Sequence, residues 1–90
     1  MPPAVTAPTI TVRFFGPARE QAGSPIVRWP APRSGVPAGV LVRALAEAYP
    51  RLAPTLRVSR FVRNGEYLES LATQVRPGDE FAVHPPYGGG

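Results

Sequence analysis

The chain contains no cysteine and no lysine, and it has a single histidine. Without cysteine it can form no disulfide, no thiolate nucleophile and no thiolate metal ligand. Without lysine it has no Schiff-base or lysine general-base chemistry, and no side-chain amine is available for modification. No run approaches the roughly 18 apolar residues of a membrane span, and no signal-peptide pattern is present. A reducing cytoplasm is the expected location.

The basic residues are unusual in kind, because all ten are arginine and they give a net charge of +4. Such a charge could suit an anionic partner such as nucleic acid. The arginines are dispersed, however, and only Arg57, Arg60 and Arg63 cluster, without the interleaved aromatics that single-strand binders use. We therefore expect solvated arginines, with neither a nucleic acid nor a membrane as partner.

The residues that could support catalysis are few and isolated. His84 would need an orienting carboxylate to act as a general base, and the sequence shows none for it. A pair for acid–base work could be imagined among Glu66, Glu69, Asp79 and Glu80, but Asp79 and Glu80 lie at a turn, where solvated acids are normal. No serine has a nucleophile-elbow context, and neither a phosphate-binding loop nor metal-ligand spacing is present. We expect no catalytic site, no metal and no cofactor bound by this chain.

Hydrophobic periodicity predicts strands and two helices along the chain. The predicted strands are Thr9–Phe15, Ser24–Trp29, Arg57–Arg63, Glu66–Glu69 and Glu80–His84, and the predicted helices are Ala18–Ala22 and Val40–Tyr49. The alternation in Arg57–Arg63 is imperfect and requires a shift or a bulge. Residues 33–37 and 70–75 are predicted to be loop or irregular, and Leu52 and Leu56 to fold back onto the core. Asn64-Gly65 predicts a type I′ hairpin, and residues 76–79 a type II turn.

This order of elements predicts one α+β domain, residues 9–86. Its economical arrangement is a mixed four- to five-stranded sheet with one main helix packed on one face. The first and last strands could be parallel neighbours at the sheet centre, which is the β-grasp, or ubiquitin-like, architecture. Residues 1–8 are rich in proline and predict a disordered lead-in, and residues 87–90 predict a flexible tail.

The tail carries the most distinctive chemistry of the sequence. After the last strand come Pro85, Pro86, Tyr87, Gly88, Gly89 and Gly90. A glycine run is slim enough for its α-carboxylate to enter a narrow slot. Attack of that carboxylate on the α-phosphate of ATP would give an acyl-adenylate, from which a sulfur nucleophile could displace AMP. A separate enzyme must supply the nucleotide site, and the alternative is that the glycine tail is inert.

The sequence resembles the MoaD/ThiS sulfur-carrier family, most of all the small subunits of molybdopterin synthase. The matching segments are Val12–Glu20 with Ala22-Gly23, Leu41–Pro50, Val62–Tyr67, Arg76–Pro86 and the terminal Gly89-Gly90. The resemblance covers Thr9–Gly90. The Pro-Gly-Asp-Glu turn that leads to Pro-Pro and a terminal Gly-Gly is specific in combination, although each piece alone is weak.

The resemblance implies a non-catalytic carrier. An E1-like adenylyltransferase/sulfurtransferase of the MoeB/ThiF type would use ATP to adenylate Gly90, which would then become a thiocarboxylate. The segment from Pro85 to Gly89 would thread into the large subunit of a molybdopterin synthase (MoaE type) within a heterotetramer. Sulfur would pass there to cyclic pyranopterin monophosphate.

The sequence is also compatible with other functions. Related carriers serve cysteine, thiamin, tRNA thiolation or secondary-metabolite pathways, and a ubiquitin-like protein modifier uses the same activated tail. A plain interaction module with an inert tail is a third class. The candidate partner surface is formed by the aromatics Phe15, Phe61 and Tyr67, since exposed apolar patches tend to be interfaces. The alternative is that these three rings fill the core.

Overall fold

The computed structural model describes residues 8–86, which form short strands and helices around one sheet. The strands are β1 (Thr9–Phe14), β2 (Ile26–Pro30), β3 (Val36–Pro37), β4 (Arg60–Arg63), β5 (Glu66–Tyr67), β6 (Gln74–Val75) and β7 (Glu80–His84). The α-helices are α1 (Pro17–Ala22), α2 (Ala38–Ala48) and α3 (Ala53–Leu56), with a 3-10 turn at Pro50–Leu52. The segments 1–7 and 87–90 lie outside the described residues.

The first and last strands lie side by side at the centre of a five-stranded sheet with the order β2-β1-β7-β4-β5. β1 and β7 run parallel, and Val12 is in register with Phe81. The other neighbouring pairs are antiparallel. Alternate side chains of both strands point to one face, where Ile10, Val12, Phe14, Phe81 and Val83 are at most 1% exposed. The predicted parallel pair at the sheet centre is confirmed.

Helix α2 covers that face, and its apolar stripe buries Leu41 and Leu45. The helix begins two residues before its predicted start, because its first amides have partners elsewhere in the chain. The N–H groups of Ala38 and Gly39 donate to the carbonyls of Thr73 and Leu71, both at 2.8 Å. A helix leaves its first four N–H groups without internal acceptors, so these two bonds satisfy part of that need.

The segment after α2 folds back under the core, as predicted for Leu52 and Leu56, which are 0% and 4% exposed. The sequence did not predict that this segment is helical. Pro54 lies in the first turn of α3, a position where proline is tolerated because the N–H it lacks has no intrahelical acceptor.

The segments 33–37 and 70–75 were predicted as loop, and this prediction is wrong in part. β3 and β6 form an antiparallel ribbon in which Val36 is in register with Val75. Two-residue strands are too short to produce visible alternation in a sequence. Before β3, Gly35 has φ 86°, and a Cβ there would lie 2.6 Å from the carbonyl oxygen of Val75. Only glycine fits this approach without displacement.

The shift or bulge predicted for Arg57–Arg63 is absent from β4, so this prediction is also wrong. The strand begins at Arg60 rather than Arg57, because residues 55–59 still turn and the Ser59 hydroxyl donates to the Thr55 carbonyl at 2.7 Å. From Arg60 onward the side chains alternate regularly against β7.

Both predicted turns are confirmed. Asn64 and Gly65 have φ values of 50° and 87°, as a type I′ hairpin needs. The Asp79 N–H donates to the Arg76 carbonyl at 2.9 Å, and Gly78 has the positive φ of 93° that a type II turn needs at its third residue.

The architecture is the predicted β-grasp: a mixed five-stranded sheet with helices packed on one face. Pro8, predicted to belong to the disordered lead-in, is joined to the sheet, because its carbonyl accepts a hydrogen bond from Ala31 at 3.1 Å. The disorder predicted for the lead-in before Pro8 and the flexibility predicted for the tail lie outside the described residues.

Candidate functional site

Pro85 and Pro86, which we call the tail root, directly follow β7, a central strand of the sheet. β7 has neighbours on both sides, and its last residue, His84, lies opposite Arg60 of β4. Pro85 is buried, and Pro86 is exposed at the end of the described chain. The predicted threading residues Tyr87, Gly88 and Gly89 and the predicted reactive Gly90 lie outside the described residues. What the structure describes is therefore the base from which they extend.

A cleft lies on the face of the sheet opposite the helices, next to this base. We call it the open-face cleft, and its volume is ≈ 300 Å³. It is lined by Phe15, Val62, Gly65, Tyr67, Glu80, Ala82 and His84. These residues share one face because side chains alternate along β7 and β4, with Ala82 in register with Val62 and Val62 with Tyr67.

Aromatic contacts connect the walls of the open-face cleft. The Phe15 ring stacks on the His84 imidazole with centroids 4.5 Å apart and an angle of 21°. Tyr67 meets the other side of the imidazole at 6.4 Å and 64°. The Arg60 guanidinium lies 4.1 Å above the Tyr67 ring. Phe15 and Tyr67 remain 37% and 55% exposed, so they present apolar area to solvent.

An ion pair borders the same face. Arg13 Nε donates to Glu80 Oε2 at 2.7 Å, and the two side chains are 42% and 46% exposed. An exposed pair of this kind contributes about 0–1 kcal/mol to stability, so its main effect is to fix where the charges lie. The open-face cleft thus has an aromatic side near the tail root and a charged side near β1.

Hydrogen bonds join the hairpin to the turn that precedes β7. Asn64 Nδ2 donates to Asp79 Oδ1 at 3.0 Å, and the Glu80 N–H donates to Asn64 Oδ1 at 2.8 Å. The Arg76 N–H donates to Asp79 Oδ2 at 2.8 Å. Burial raises the pKa of Asp79, but these hydrogen bonds and the positive charges of Arg63 and Arg76 lower it further than burial raises it. The net pKa lies below the ordinary value of 3.8.

The structure separates the three aromatics that were predicted to form one partner surface. Phe15 and Tyr67 lie on the open face, but Phe61 points to the helices, is 8% exposed and stacks on Phe81 at 5.5 Å. The expected exposure of Phe61 is wrong, because the strand starts at Arg60 and the alternation places Phe61 inward. His84, Val62 and Ala82 also lie on this surface and were not predicted to do so. The alternation Glu80, Ala82, His84 in the last strand was the signal that could have found them.

Among the lining residues of the open-face cleft, the titratable acid–base candidates are one carboxylate, Glu80, and one imidazole, His84. His84 is flanked by rings, and among residues 8–86 it forms no side-chain hydrogen bond to a carboxylate. In the same range no three potential metal ligands come together. None of the described helices has the length and apolar character required to cross a bilayer.

The comparison with protein families gives one match, which spans residues 12–90 and therefore almost the whole chain. The matching model is that of the ThiS family. The chain belongs to the ThiS family. The resemblance seen in the sequence is confirmed, and it places the chain among ubiquitin-like sulfur carriers, which are generally non-catalytic. A comparison with curated protein sequences finds no match.

Solved structures similar to this ThiS family chain include an archaeal modifier. A crystal structure of SAMP1 from Haloferax volcanii has 30% sequence identity and a TM-score of 0.74, covering 91% of this chain and 99% of that one. A putative molybdopterin converting factor subunit 1 from Pyrococcus furiosus has 20% identity and a TM-score of 0.77, covering 87% and 97%. This second likeness shows the fold alone.

A third similar structure contains a partner. It is the complex of subunits 1 and 2 of the molybdopterin-converting factor from Helicobacter pylori, with 24% identity, a TM-score of 0.65, and coverage of 91% of this chain and 99% of that one. Chains of similar fold thus occur both in a protein–protein complex and in an archaeal modifier. Membership of the ThiS family establishes the class of protein, and the pathway is a further question.

Proposed function

We propose that this chain carries sulfur as a thiocarboxylate on Gly90 and donates it within a molybdopterin synthase. The observation that carries the proposal is the family match, which extends through Gly90 and includes the tail rooted at Pro85-Pro86. The open-face cleft beside that root supports it, because a carrier without a catalytic group needs a surface that places its tail in a partner's active site.

The exposed rings of Phe15 and Tyr67 are the proposed centre of that docking surface. Aromatic residues flanked by polar groups are enriched where a few residues supply most of the binding energy. Tyr87–Gly90 can span at most about 14 Å when fully extended. The active site of any acceptor must therefore lie within about that distance of Pro86 once the open-face cleft is covered.

The proposed chemistry requires three steps at the terminal carboxylate. One carboxylate oxygen attacks the α-phosphate of ATP in an E1-like partner, which forms the acyl-adenylate and releases pyrophosphate. A persulfide sulfur of the sulfur source then displaces AMP, and a thiol cleaves the resulting acyl disulfide to leave the thiocarboxylate. This chain contributes the carboxylate and a slim leader, and it contributes no thiol because it has no cysteine.

The acceptor pathway is the finer part of the proposal. We propose a large subunit of molybdopterin synthase as partner in a heterotetramer in the cytoplasm, with cyclic pyranopterin monophosphate as acceptor. The likeness to subunit 1 in the Helicobacter pylori complex supports a partner of this kind. Rescue of a strain that lacks the small subunit would support this pathway, and failure with normal thiocarboxylate formation would favour the cysteine, thiamin, tRNA or secondary-metabolite pathways.

The test of the carrier function is intact-mass spectrometry after incubation with the cognate activating enzyme, ATP and a sulfur source. The protein mass should increase by the difference between one sulfur and one oxygen atom. Deletion of Gly90 should abolish the change, and Gly89→Ala should slow it. No mass change with the cognate enzyme, together with full function after deletion of Gly90, would mean that the tail is inert and the chain is an interaction module.

A second candidate function is covalent protein modification. The similarity to SAMP1 at 30% identity over nearly its full length favours it. Because this chain has no lysine, its own side chains cannot be targets, and each adduct would carry a single copy. Immunoblots of a tagged chain that show covalent adducts across a lysate, lost when Gly90 is deleted, would support the modifier function.

A further inference from the structure

A second and larger groove lies on the helix side of the sheet. It runs between α2, α3 and the segment after β5, and its volume is ≈ 480 Å³. We call it the helix-side groove. No lining residue is shared with the open-face cleft, and Arg60, which lines the groove, lies over the Tyr67 ring of the cleft. The proposed sulfur transfer does not use it.

The floor of the helix-side groove is apolar. Its main apolar residues are Val42, Ala46, Leu56, Phe61, Leu68 and Leu71. Leu71 is 48% exposed, which is unusual for a leucine in a small domain whose other leucines line the core. Contiguous apolar residues that reach the surface in this way are typical of protein-binding sites.

The charge around the helix-side groove has one sign. The lining includes Arg43, Arg57 and Arg60 and contains none of the chain's acidic residues. The Arg60 guanidinium lies over Tyr67 and is directed to the other face, which leaves Arg43 and Arg57 at the groove. Within residues 8–86, no carboxylate forms a salt bridge with either of these two arginines, in contrast to Arg13 with Glu80.

From this combination we infer that the helix-side groove binds a protein segment in which apolar side chains alternate with carboxylates. The apolar residues pack on the floor, and the carboxylates pair with Arg43 and Arg57, where charge complementarity favours encounter and fixes orientation. Because the two binding surfaces share no lining residue, such a partner can be held while the open-face cleft and the tail are engaged elsewhere. The chain is therefore a two-sided adaptor.

The binding experiment uses the full chain labelled with nitrogen-15 and a short synthetic peptide in which glutamate pairs alternate with leucine pairs. Amide chemical shifts of Val42, Ala46 and Leu71 should change in a saturable way, while those of His84 and Phe15 should not. The same peptide with lysine in place of glutamate should not bind. Arg43→Gln with Arg57→Gln should weaken binding roughly tenfold, since two charge-assisted contacts are lost.

Matched variants separate this inference from a general effect of charge or hydrophobicity. Arg19→Gln with Arg33→Gln lowers the net charge equally at exposed positions outside the groove and should leave the affinity unchanged. Leu71→Ser should weaken binding severalfold, whereas Val58→Ser, at a residue that is 50% exposed outside the groove, should not. Phe15→Ala should also have no effect on peptide affinity.

Three outcomes would overturn the inference. The first is the absence of saturable shifts in the groove, and the second is an equal loss of affinity in the two arginine pairs. The third is a concentration-dependent dimer that Arg43→Gln with Arg57→Gln abolishes, because the groove would then hold a second copy of this chain. None of these outcomes bears on sulfur transfer, which is tested separately by the intact mass of the protein.

Discussion

The two faces of the five-stranded sheet are made from alternate residues of the same strands, yet their surroundings differ. In β7, Phe81 and Val83 point to the helices and are completely buried, whereas Glu80 and His84 point to the open face and remain partly exposed. The helix face is filled with apolar side chains. The open face holds a salt bridge, a stacked imidazole and two exposed aromatic rings.

This difference separates the requirements of stability from those of binding. Burial of apolar area stabilises the fold by about 25 cal/mol per Å², and the helix face contains most of the buried apolar side chains. The exposed rings on the open face gain little by folding and can gain more when a partner covers them. Substitutions on the helix face should therefore change the free energy of unfolding, and those on the open face should change affinity.

The largest effect is expected for Phe81→Ala. Phe81 is fully buried and stacks on Phe61, so its removal leaves a cavity and should lower the free energy of unfolding by about 3–5 kcal/mol. Denaturant unfolding followed by circular dichroism measures the change. On the same strand, His84→Ala should cost less than about 1 kcal/mol. If Phe81→Ala does not fold, Phe81→Leu still removes buried ring atoms and should cost about 2 kcal/mol, more than His84→Ala.

Equal losses for Phe81→Leu and His84→Ala would contradict the division between the faces. The comparison is well matched because both residues lie in β7 and are separated by only three positions. Any difference in strand propensity between the variants is small relative to the expected cavity term.

A second comparison uses two glycines with similar backbone conformation. Gly35 and Gly65 have φ values of 86° and 87°, so alanine is strained at both. At Gly35 the new Cβ would also lie 2.6 Å from the Val75 carbonyl oxygen, whereas at Gly65 nothing lies within 4 Å. Gly65→Ala should cost about 1 kcal/mol and Gly35→Ala about 2–3 kcal/mol in thermal or denaturant unfolding. A larger loss at Gly65 would mean that the β3–β6 ribbon is not closely packed.

The sequence was sufficient to predict the sheet centre and the turns, because these depend on local patterns. The alternation in β1 and β7, the Asn64-Gly65 pair and the 76–79 turn each have one physical explanation. The same patterns predicted β5 and helix α2, with boundaries that differ by a few residues from those in the structure. The β3–β6 ribbon could not be predicted, since a pairing between two-residue strands depends on tertiary contacts.

The candidate site was predicted less completely, for a related reason. One error of phase at the start of β4 moved Phe61 from the core to the surface, because neighbouring side chains of a strand point to opposite faces. The joining of Phe15, Tyr67 and His84 into one cleft depends on the register between β1, β7, β4 and β5, which no single segment encodes. The helix-side groove also escaped prediction, since three separate elements form its walls.

For the open face, the sharpest prediction concerns docking. Tyr67→Ala and Phe15→Ala should each weaken binding to the cognate synthase or activating enzyme by roughly tenfold, as expected for aromatic residues at an interface centre. Each should change the free energy of unfolding by less than about 1 kcal/mol. Isothermal titration calorimetry and denaturant unfolding give the two quantities. Val58→Ala, at a residue about as exposed as Tyr67 but outside the cleft, is the control and should leave the affinity unchanged.

An unchanged affinity in both aromatic variants would contradict the proposed docking surface. A loss of affinity accompanied by an equal loss of stability would indicate instead that the rings support the fold. The two measurements together therefore test whether Phe15 and Tyr67 act on binding alone.

The smallest expected effect concerns the hydrogen bonds between hairpin and turn. The pKa of Asp79 in the folded protein is below its ordinary value, so the folded state favours the ionised carboxylate more than the unfolded state does. The resulting stabilisation is present above the unfolded pKa and is lost as the pH falls through the folded pKa. Asp79→Asn should cost about 0.5–1 kcal/mol at neutral pH, because charge-assisted hydrogen bonds are replaced by weaker ones.

The acid side of the stability profile tests the cause of this shift. Between about pH 4 and pH 2, the wild type should lose more of its free energy of unfolding than Asp79→Asn does. Asn64→Gly keeps a residue that tolerates the positive φ and removes the Nδ2 donor to Asp79, so its loss should be intermediate. Urea unfolding at a series of pH values measures all three. If the three profiles run parallel, the hydrogen bonds at Asp79 do not contribute to stability, and the hairpin that borders the open-face cleft is held by β4 and β5 alone.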